Sequence, residues 1–287
     1  MGRRWFAEQD PVSPINYRYA IDRVLHERRS RIQEIKVMEH SFFGRMLVLD
    51  NVVQLTERDE FLYHEMLAHV PMHSHPSPEK VLVIGGGDGG TLREALKHPT
   101  VRSATLVEID PEVTEVAAQY FPGLASAFTA PKVRTLVADG AAFVADTKEK
   151  FDVILVDAPD PVGPARTLTT EEFFAAARDA LTDNGVFTMQ TESLHFHIPF
   201  VTKIQRTLTE VFPWVGLYAA PLATYAGNWW TFSIAARRPL SVDPVRPAVP
   251  GTVYYSEQVH SQSYLPKDVL ARLARHHEAF DRSRQAR

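Results

Sequence analysis

The chain has 287 residues, of which 45% are hydrophobic, and its 35 acidic and 31 basic residues leave a net charge of −4. This length allows a full core in one large or two smaller domains, and the acidic balance argues against a nucleic-acid-binding face. The absence of cysteine excludes disulfides and thiolate metal sites. Neither a signal peptide nor an apolar run of the ~18 residues that a membrane span needs is found. We therefore expect a cytoplasmic protein that does not bind membranes.

The first part of the sequence is rich in short β runs. Three of them, at 32–39, 45–49 and 52–56, are separated by turn signals, and Asp50-Asn51 suits a tight hairpin. Apolar residues at helical spacing predict a helix from Asp59 onwards. The sequence HSHPSP at 73–78 is typical of a proline-stiffened linker. We therefore predict an N-terminal β domain over residues 1–75 and a second domain over residues 76–287.

Beyond this segment the sequence contains five strands of the buried type, VLVIGG, ATLVEID, VRTLVAD, FDVILVDA and GVFTMQTE. Helical stretches separate the first three strands from one another and the fourth from the fifth. This alternation predicts an α/β fold with a parallel, doubly wound sheet. Near the C-terminus, LPKDVLARLARHHEAF predicts an amphipathic helix that places Val269, Leu270, Leu273 and Phe280 on one face.

The glycine-rich run VLVIGGGDGG at 81–90 is the most informative motif. An apolar strand that ends in glycines before a helix is typical of nucleotide-binding α/β sheets, because glycines let the backbone approach a ligand closely. The spacing differs from the G-x-G-x-x-G of the pyrophosphate fingerprint. Asp88 also places a negative charge where such a loop would otherwise hold an anion. The motif therefore favours a nucleoside with a positively charged sulfonium arm.

Several predicted strands end in acidic residues. Glu108 lies about 20 residues after the glycine loop, the offset at which such folds bind ribose hydroxyls. Asp139 ends the next strand, and Asp157 and Asp160 follow the fourth. Each acid taken alone could equally be a helix N-cap. Because ligands bind outside the carboxyl ends of parallel strands, we expect these acids and Asp88 to line one cleft.

Other catalytic motifs are missing from the sequence. His64 and His69 in HEMLAH are five residues apart, whereas the helical zinc motif places its histidines four apart. We therefore predict no metal site. The sequence also has no G-x-S-x-G elbow, which leaves hydrolase chemistry unsupported.

Taken together, the motifs resemble those of the spermidine synthases, which are polyamine aminopropyltransferases. The resemblance runs nearly from end to end, through RRSRIQEI, FGRMLVLDNVVQLTERDEFLYHEM, GGGDGG, VEID, ADG, DPVGP, QTES and YYSEQVHSQSYLP. The combination of TERDEFLYHEM with GGGDGG is highly specific. The resemblance implies a small N-terminal β domain on a methyltransferase-like sheet, assembled as a homodimer or homotetramer.

The implied reaction moves a 3-aminopropyl group from decarboxylated S-adenosylmethionine to an amine, normally putrescine, and releases methylthioadenosine. The sulfonium nucleoside is a co-substrate, and the resemblance implies no cofactor and no metal. The expected partners are small molecules and further copies of the chain.

The resemblance also assigns roles to individual residues. Those on the donor side are Gln33, Gln54, Asp88, Glu108, Asp139, Gly140 and Pro164. Among them, Asp88 would hold the aminopropyl ammonium and Glu108 the ribose hydroxyls, while Asp139 and Gly140 would contact the adenine. Those on the acceptor side are Tyr63, His64, Asp88, Asp157, Asp160 and Tyr225. Asp157 would be the catalytic base.

Elementary chemistry agrees with these roles. Both reactants are cations that repel each other, and a carboxylate within about 4 Å of a cation contributes about 4 kcal/mol near a protein surface. The attacking amine must also lose a proton, which costs roughly 4–5 kcal/mol at pH 7 for an amine that resembles lysine. A nearby carboxylate can accept that proton, and a second acid raises its affinity for it. Asp157 as base and Asp160 as its electrostatic partner meet this need.

The acceptor side departs from the usual family pattern. Residues 157–160 read Asp-Ala-Pro-Asp, where the family usually has Asp-Ser-Ser or Asp-Ser-Thr before the second acid. Thr169 stands where a Phe is usual, and ATYAGNWW replaces PTYPSG followed by a single Trp. These changes leave the donor prediction intact and leave the acceptor open among putrescine, cadaverine, agmatine and spermidine.

Two other functions are compatible with the same fold. One is an S-adenosylmethionine-dependent putrescine N-methyltransferase, but the α-carboxylate of that donor would face Asp88. The other is a non-catalytic polyamine or nucleoside sensor, although binding alone does not need a poised base beside a second acid. Binding measurements with both nucleosides would separate the two donors.

Overall fold

A computed structural model describes residues 4–158 and 163–285. Its N-terminal part contains two antiparallel sheets, one of two strands and one of four. The strands are β1 Arg4–Gln9, β2 Asn16–Ile21, β3 Arg23–Arg29, β4 Glu34–His40, β5 Gly44–Leu49 and β6 Val52–Thr56. The three predicted strands correspond to β4, β5 and β6. Asp50 and Asn51 have φ of 45° and 67°, and this left-handed pair forms the predicted tight turn between β5 and β6.

The C-terminal part is built on a seven-stranded sheet in the order β12-β13-β11-β10-β7-β8-β9. Its strands are β7 Lys80–Gly85, β8 Ser103–Glu108, β9 Val133–Val137, β10 Phe151–Asp157, β11 Leu181–Ser193, β12 Trp214–Pro221 and β13 Trp229–Ala236. Strands β7 to β11 pair in parallel, whereas β13 is antiparallel to both of its neighbours. The chain runs outward from β7 to β9 and then crosses to β10 on the other side. The predicted α/β fold with a doubly wound sheet is therefore confirmed.

Helices cover both faces of this sheet. They are α1 Glu60–Ser74, α2 Gly90–Leu96, α3 Pro111–Tyr120, α4 Pro122–Ala125, α5 Gly140–Asp146, α6 Glu171–Ala180, α7 Ile198–Val211, α8 Glu257–Ser263 and α9 Lys267–Gln285, with short 3-10 helices at Ser126–Thr129 and Gly163–Thr169. Phe173 and Phe174 of α6 pack on Phe187 of β11 on one face. Met72 of α1 and Leu92 of α2 belong to the core on the other. Within the described ranges, no helix has the length and apolar character needed to span a membrane.

Helix α1 begins next to the predicted start but continues through Pro71 to Ser74. The predicted linker at 73–78 is therefore wrong at its first two residues, and His73, Ser74 and His75 are all buried. Met66 and Val70 of α1 pack in one cluster with residues of β11, β12 and β13. Because α1 packs on the large sheet, we propose that the boundary predicted at residue 75 lies before Glu60.

Several elements of the fold were not predicted from the sequence. They are strands β1 to β3, the antiparallel pair β12–β13, and helices α5, α7 and α8. The C-terminal helix is present, and its Leu270 and Leu273 pack against Leu194 and Ile198. Phe280, expected on the same helical face, is 59% exposed, so the packed part of this face does not extend to it.

Candidate active site

The carboxyl ends of the parallel strands open into one cleft, whose lining also includes residues of the N-terminal sheets. The predicted site residues that line it are Gln33, Gln54, Tyr63, His64, Asp88, Glu108, Asp139, Gly140, Asp157 and Tyr225. The expectation that the acids at successive strand ends share a cleft with Asp88 is met for those that the structure describes. Pro164 lies in the 3-10 helix Gly163–Thr169, and Asp160 lies outside the described residues.

The loop after β7 brings a carboxylate into the cleft. Gly85 has a φ of 76°, and a Cβ there would lie 2.2 Å from the carbonyl oxygen of Asp157, so this position requires glycine. The amide of Gly86 donates to the same oxygen at 2.7 Å. Asp88 Oδ1 accepts a hydrogen bond of 2.7 Å from the amide of Gly90. The glycines thus dock the loop on β10 and fix Asp88 at the start of α2.

Asp157, the last residue of β10, is held by two hydroxyl groups. Tyr63 Oη donates to its Oδ1 at 2.7 Å, and Thr91 Oγ1 donates to its Oδ2 at 2.6 Å. Burial and the charge of Asp88 raise the pKa of Asp157, although both hydrogen bonds and His64 oppose the rise. A fixed carboxylate with a raised pKa is suited to accept a proton from a bound amine.

His64 lies between two carboxylates. Its Nδ1 is 2.6 Å from Glu60 Oε2, and its Nε2 is 3.3 Å from Asp88 Oδ1. Arg93 donates two hydrogen bonds of 3.0 Å to the Glu60 carboxylate. Burial lowers the pKa of His64, but Asp88 and Glu60 together outweigh burial and raise it well above its ordinary value. With a carboxylate oxygen facing each ring nitrogen, this arrangement favours His64 as an imidazolium, which has an N–H for each of the two carboxylates.

Glu108 ends β8 and is only 7% exposed. Burial raises its pKa to about 7, although Glu108 Oε1 accepts a hydrogen bond of 2.8 Å from the amide of Asp110. Asp110 caps helix α3 and accepts hydrogen bonds from Ser30 Oγ at 2.6 Å and from Gln33 Nε2 at 3.0 Å. Gln33 is thereby tied to the strand end that carries the predicted ribose ligand.

Asp139 combines the two roles that the sequence left open. Its Oδ1 accepts hydrogen bonds from the amides of Ala141 and Ala142 at 2.8 and 3.1 Å and so caps helix α5. The same residue lines the cleft. At Gly140 a Cβ would lie 2.2 Å from Ile84 Cγ2, so α5 can approach β7 this closely only with glycine there.

An aromatic wall joins the small sheet to the loop between β12 and β13. Tyr225 Oη donates to the carbonyl oxygen of Gln54 in β6. The ring of Tyr225 meets that of Tyr63 edge to face, with centroids 5.5 Å apart, and packs against Trp230 at 4.6 Å. Tyr225, a predicted acceptor residue, therefore touches both the N-terminal part and helix α1.

The sequence predictions missed five buried polar residues of the cleft, Glu8, Asp10, Gln190, Glu192 and His197. His197 Nε2 lies 3.3 Å from Asp10 Oδ2, and His197 Nδ1 lies 3.5 Å from Glu192 Oε2. Glu8 lies in β1 and Asp10 directly follows that strand, which the sequence pattern did not predict. Glu192 is part of the QTES motif, which is the signal that could have identified it.

A separate group of histidines is buried between α1 and α2. One nitrogen from each of His69, His73 and His98 lies within 4.8 Å of the others, close enough for a shared metal ion. However, His69 Nδ1 is hydrogen-bonded to His98 Nε2 at 2.9 Å, and His69 Nε2 to Glu94 Oε2 at 3.0 Å. Burial lowers the pKa of His73 to about 4. These contacts account for the group as part of the packing, and the absence of a metal from the reaction stays a prediction.

Comparison with known protein families bears on the identity of this cleft. The model of the spermine/spermidine synthase domain matches residues 60–243, which are more than half of the chain. The model of the spermidine synthase tetramerisation domain matches residues 4–57.

The chain belongs to the spermine/spermidine synthase family.

Close relatives of this chain cover it almost completely. It is 50% identical to polyamine aminopropyltransferase 1 of Aquifex aeolicus, over 91% of this chain and 94% of the relative. It is 44% identical to the polyamine aminopropyltransferase of Hydrogenobaculum, over 94% of this chain and 96% of the relative. The crystal structure of spermidine synthase from Thermotoga maritima matches with a TM-score of 0.87 at 38% identity, over 95% of this chain and 96% of that structure. A spermidine synthase solved with the transition-state analogue AdoDATO has a TM-score of 0.89, also at 38% identity, over 95% and 97%.

Membership of the spermine/spermidine synthase family identifies the reaction as aminopropyl transfer. Decarboxylated S-adenosylmethionine is the co-substrate of this family, as the sequence motifs implied. The match to a tetramerisation domain indicates that the chain forms an oligomer. The predicted enzyme class is therefore confirmed, in preference to the N-methyltransferase and the sensor.

Proposed function

We propose that this enzyme transfers the aminopropyl group to putrescine and so forms spermidine. One observation carries the proposal: the carboxylates of Asp88 and Asp157 line the same cleft, and the charge of Asp88 contributes to the raised pKa of Asp157. One carboxylate thus attracts a cation, while the other is prepared to take a proton.

The donor occupies the side of the cleft formed by β7, β8 and β9. Glu108 binds the ribose hydroxyls, and Asp139 with Gly140 contacts the adenine. Gln33, Gln54 and Pro164 complete this donor side. Asp88 binds the ammonium of the aminopropyl arm. In S-adenosylmethionine an α-carboxylate lies next to that ammonium, and its repulsion by Asp88 favours the decarboxylated donor.

The acceptor lies along Tyr63, His64 and Tyr225, with Asp160 as a further ligand. Putrescine carries two amines, of which one must be neutral to react while the other stays an ammonium. Glu8 and Glu192 line the same cleft and supply negative charge for that second ammonium. This distribution of acids supports a diamine as acceptor.

The reaction is an in-line displacement for which the protein supplies position and a base. The lone pair of the amine nitrogen attacks the propyl carbon bonded to sulfur, and the C–S electron pair stays on sulfur to give neutral methylthioadenosine. Asp157 Oδ accepts the proton that the nitrogen loses. Tyr63 and Thr91 orient this carboxylate through their hydrogen bonds. Fixed geometry of this kind replaces covalent catalysis.

Incubation with decarboxylated S-adenosylmethionine and a panel of amines tests the proposal. The panel contains putrescine, cadaverine, agmatine, diaminopropane and spermidine, and mass spectrometry identifies the products. We expect spermidine from putrescine at the highest kcat/KM. A higher kcat/KM with another amine would contradict the acceptor assignment alone, and the absence of any product would contradict the whole proposal.

The role of Asp88 has its own test. We expect Asp88→Asn to lower the preference for decarboxylated over carboxylated donor by about tenfold, because a neutral amide neither binds the ammonium strongly nor repels the α-carboxylate. Calorimetric titration with both nucleosides measures that preference. An unchanged preference in the variant would remove Asp88 from this role.

For the assembly, we propose a homodimer or homotetramer, formed through the N-terminal sheets and located in the cytoplasm. The match of residues 4–57 to a tetramerisation domain supports the assembly. The net charge of −4 supports small cations as substrates and argues against nucleic acid as a partner.

A further inference from the structure

His64 places one cation against Asp88 before the donor arrives. Its Nε2 lies 3.3 Å from Asp88 Oδ1, and only 2% of its side chain is exposed. The proposed function brings the ammonium of the donor to the same carboxylate. Two cations on one buried carboxylate repel each other strongly, because little water screens them.

The ring of His64 is held from two sides. A Cβ at Gly90 would lie 2.2 Å from His64 Cε1, so the ring packs directly on the backbone at the start of α2. On its other edge, Nδ1 is 2.6 Å from Glu60 Oε2, and Arg93 holds Glu60 with two hydrogen bonds. Since the ring is fixed, loss of a proton is the simplest way to relieve the repulsion.

The surroundings of the ring decide which proton leaves. The titratable and charged groups that face it come from α1, α2, β10 and the loop after β7, and they are Glu60, Tyr63, Arg93, Asp157 and Asp88. Burial raises the pKa of Glu60, but hydrogen bonds from His64 and Arg93 outweigh burial and keep it lowered. Glu60 is therefore ionised and retains the proton on Nδ1. Nε2 is the nitrogen that can become an acceptor.

We propose that donor binding releases the Nε2 proton of His64 and that an N–H of the donor's ammonium takes its place. The ammonium then donates to Asp88 and to the neutral Nε2, and the released proton passes to the buffer. The N–H bond of the ring breaks with its electron pair left on nitrogen, and no other covalent bond changes. Glu60 and Arg93 act as positioning residues that select the tautomer. This inference rests on the proposed binding of the ammonium by Asp88.

Calorimetry on the full-length enzyme counts the released proton. Decarboxylated S-adenosylmethionine and methylthioadenosine are titrated at pH 7 in two buffers of different ionisation enthalpy. Methylthioadenosine has the same nucleoside but no aminopropyl arm. Any proton that Glu108 gains or loses on nucleoside binding is therefore common to both ligands and drops out of the difference between them. We expect the donor to release about one proton more than methylthioadenosine. The affinity for the donor, divided by the affinity for methylthioadenosine, should increase by up to tenfold per pH unit as the pH rises from 6 to 7.

Variants assign the proton to His64. In His64→Gln the excess release should fall to zero while the donor still binds, because the amide offers hydrogen bonds without a titrating proton. His277→Gln, on an exposed turn of α9, is the matched control and should keep the excess. If His64→Gln does not fold, nitrogen-15 NMR of the histidines in the parent enzyme decides the question. Donor addition should then move the nitrogen-15 chemical shift of one ring nitrogen from the value of a protonated nitrogen to that of an unprotonated one.

The outcomes separate this inference from the function on which it depends. Equal proton release by the two ligands, or an undiminished excess in His64→Gln, would overturn the role of His64 while aminopropyl transfer stands. Failure of the donor to bind the parent enzyme would instead overturn the proposed binding by Asp88.

Discussion

Asp157 shows how much of the chemistry depends on one side chain with the right neighbours. We expect Asp157→Asn to lower kcat by about 10²–10⁴-fold, because the amide cannot accept the proton of the amine. Donor affinity should change little, since Asp88 and Glu108 remain. Steady-state kinetics and calorimetry measure the two effects. Asp183→Asn, an exposed position of β11, serves as the control. A turnover unchanged by Asp157→Asn would exclude Asp157 as the base.

Glu108 should make stability depend on pH. Its pKa is about 7 in the folded protein and 4.5 ordinarily, so the folded state binds more protons between these values. The stabilising contribution of the protonated carboxyl is therefore complete below about pH 4.5 and is lost as the pH rises through 7. We expect Glu108→Gln, which does not titrate, to be more stable than the parent at pH 8 by about 3 kcal/mol.

Urea unfolding at pH 5 and pH 8 tests this prediction. The difference in stability between the two proteins should fall from about 3 kcal/mol at pH 8 to less than about 1 kcal/mol at pH 5, while nucleoside binding is weaker in the variant. A stability difference that does not change between the two pH values would contradict the raised pKa of Glu108.

Residues at the ends of predicted strands could be identified from the strand pattern, whereas those elsewhere in the cleft were found only through the family motifs, as Tyr63 and Tyr225 were, or not at all. Asp88, Glu108 and Asp157 follow apolar runs, and the geometry of a parallel sheet brings such positions to one edge. Glu8 comes from a strand with no clear alternation, and Glu192, although it belongs to the QTES motif, has a φ of 68° near the end of the long strand β11. Their place in the cleft depends on contacts between distant parts of the chain.

Among the elements, helix α1 connects the cleft to the C-terminal segment. Tyr63 and His64 face the cleft, while Glu65, fully buried, accepts three amide hydrogen bonds of 2.7–2.8 Å from Val253, Tyr254 and Tyr255. We expect Glu65→Gln to lower the free energy of unfolding by about 2–4 kcal/mol, because its NH₂ group would face amide donors. Urea unfolding measures the change.

Glu278→Gln, in the exposed part of α9, is the matched control for Glu65→Gln and should change stability by less than about 0.5 kcal/mol. An equally small effect of Glu65→Gln would show that the C-terminal segment is held on α1 by other contacts.

The element boundaries show where local sequence loses its predictive value. The polar run at 73–78 predicts a loop, yet α1 continues to Ser74, whose Oγ donates to the carbonyl oxygen of Val70 at 2.8 Å. His73 Nε2 also faces the carbonyl oxygen of Pro247 at 3.1 Å. Tertiary contacts thus override the composition. The charged run RVLHERR of β3 was missed for a related reason, since its strand character comes from pairing with β4.

For the whole molecule, the N-terminal sheets offer a surface for assembly. Trp5 is 50% exposed on β1, within the part of the chain that matches a tetramerisation domain. We expect the enzyme to sediment as a dimer or tetramer and Trp5→Glu to shift it towards smaller species, because a buried carboxylate would destabilise the interface. Analytical ultracentrifugation measures the mass.

Val242→Glu controls for the added charge, because Val242 is similarly exposed, at 49%, but lies outside the N-terminal part. An assembly that is unchanged by Trp5→Glu would show that Trp5 lies outside the interface.

The line of side chains from Asp88 through His64 and Glu60 to Arg93 has a consequence for competition inside a cell. It contains two anions and two cations, so the four groups together have no net charge before the donor binds. Mg²⁺ prefers several oxygen ligands with uncompensated charge, and here it would meet a carboxylate already shared with an imidazolium. A bare acidic cleft would attract any cation, including abundant inorganic ions. Under the proposed exchange of the His64 proton for an N–H of the donor, we expect the cleft to favour amines over metal ions.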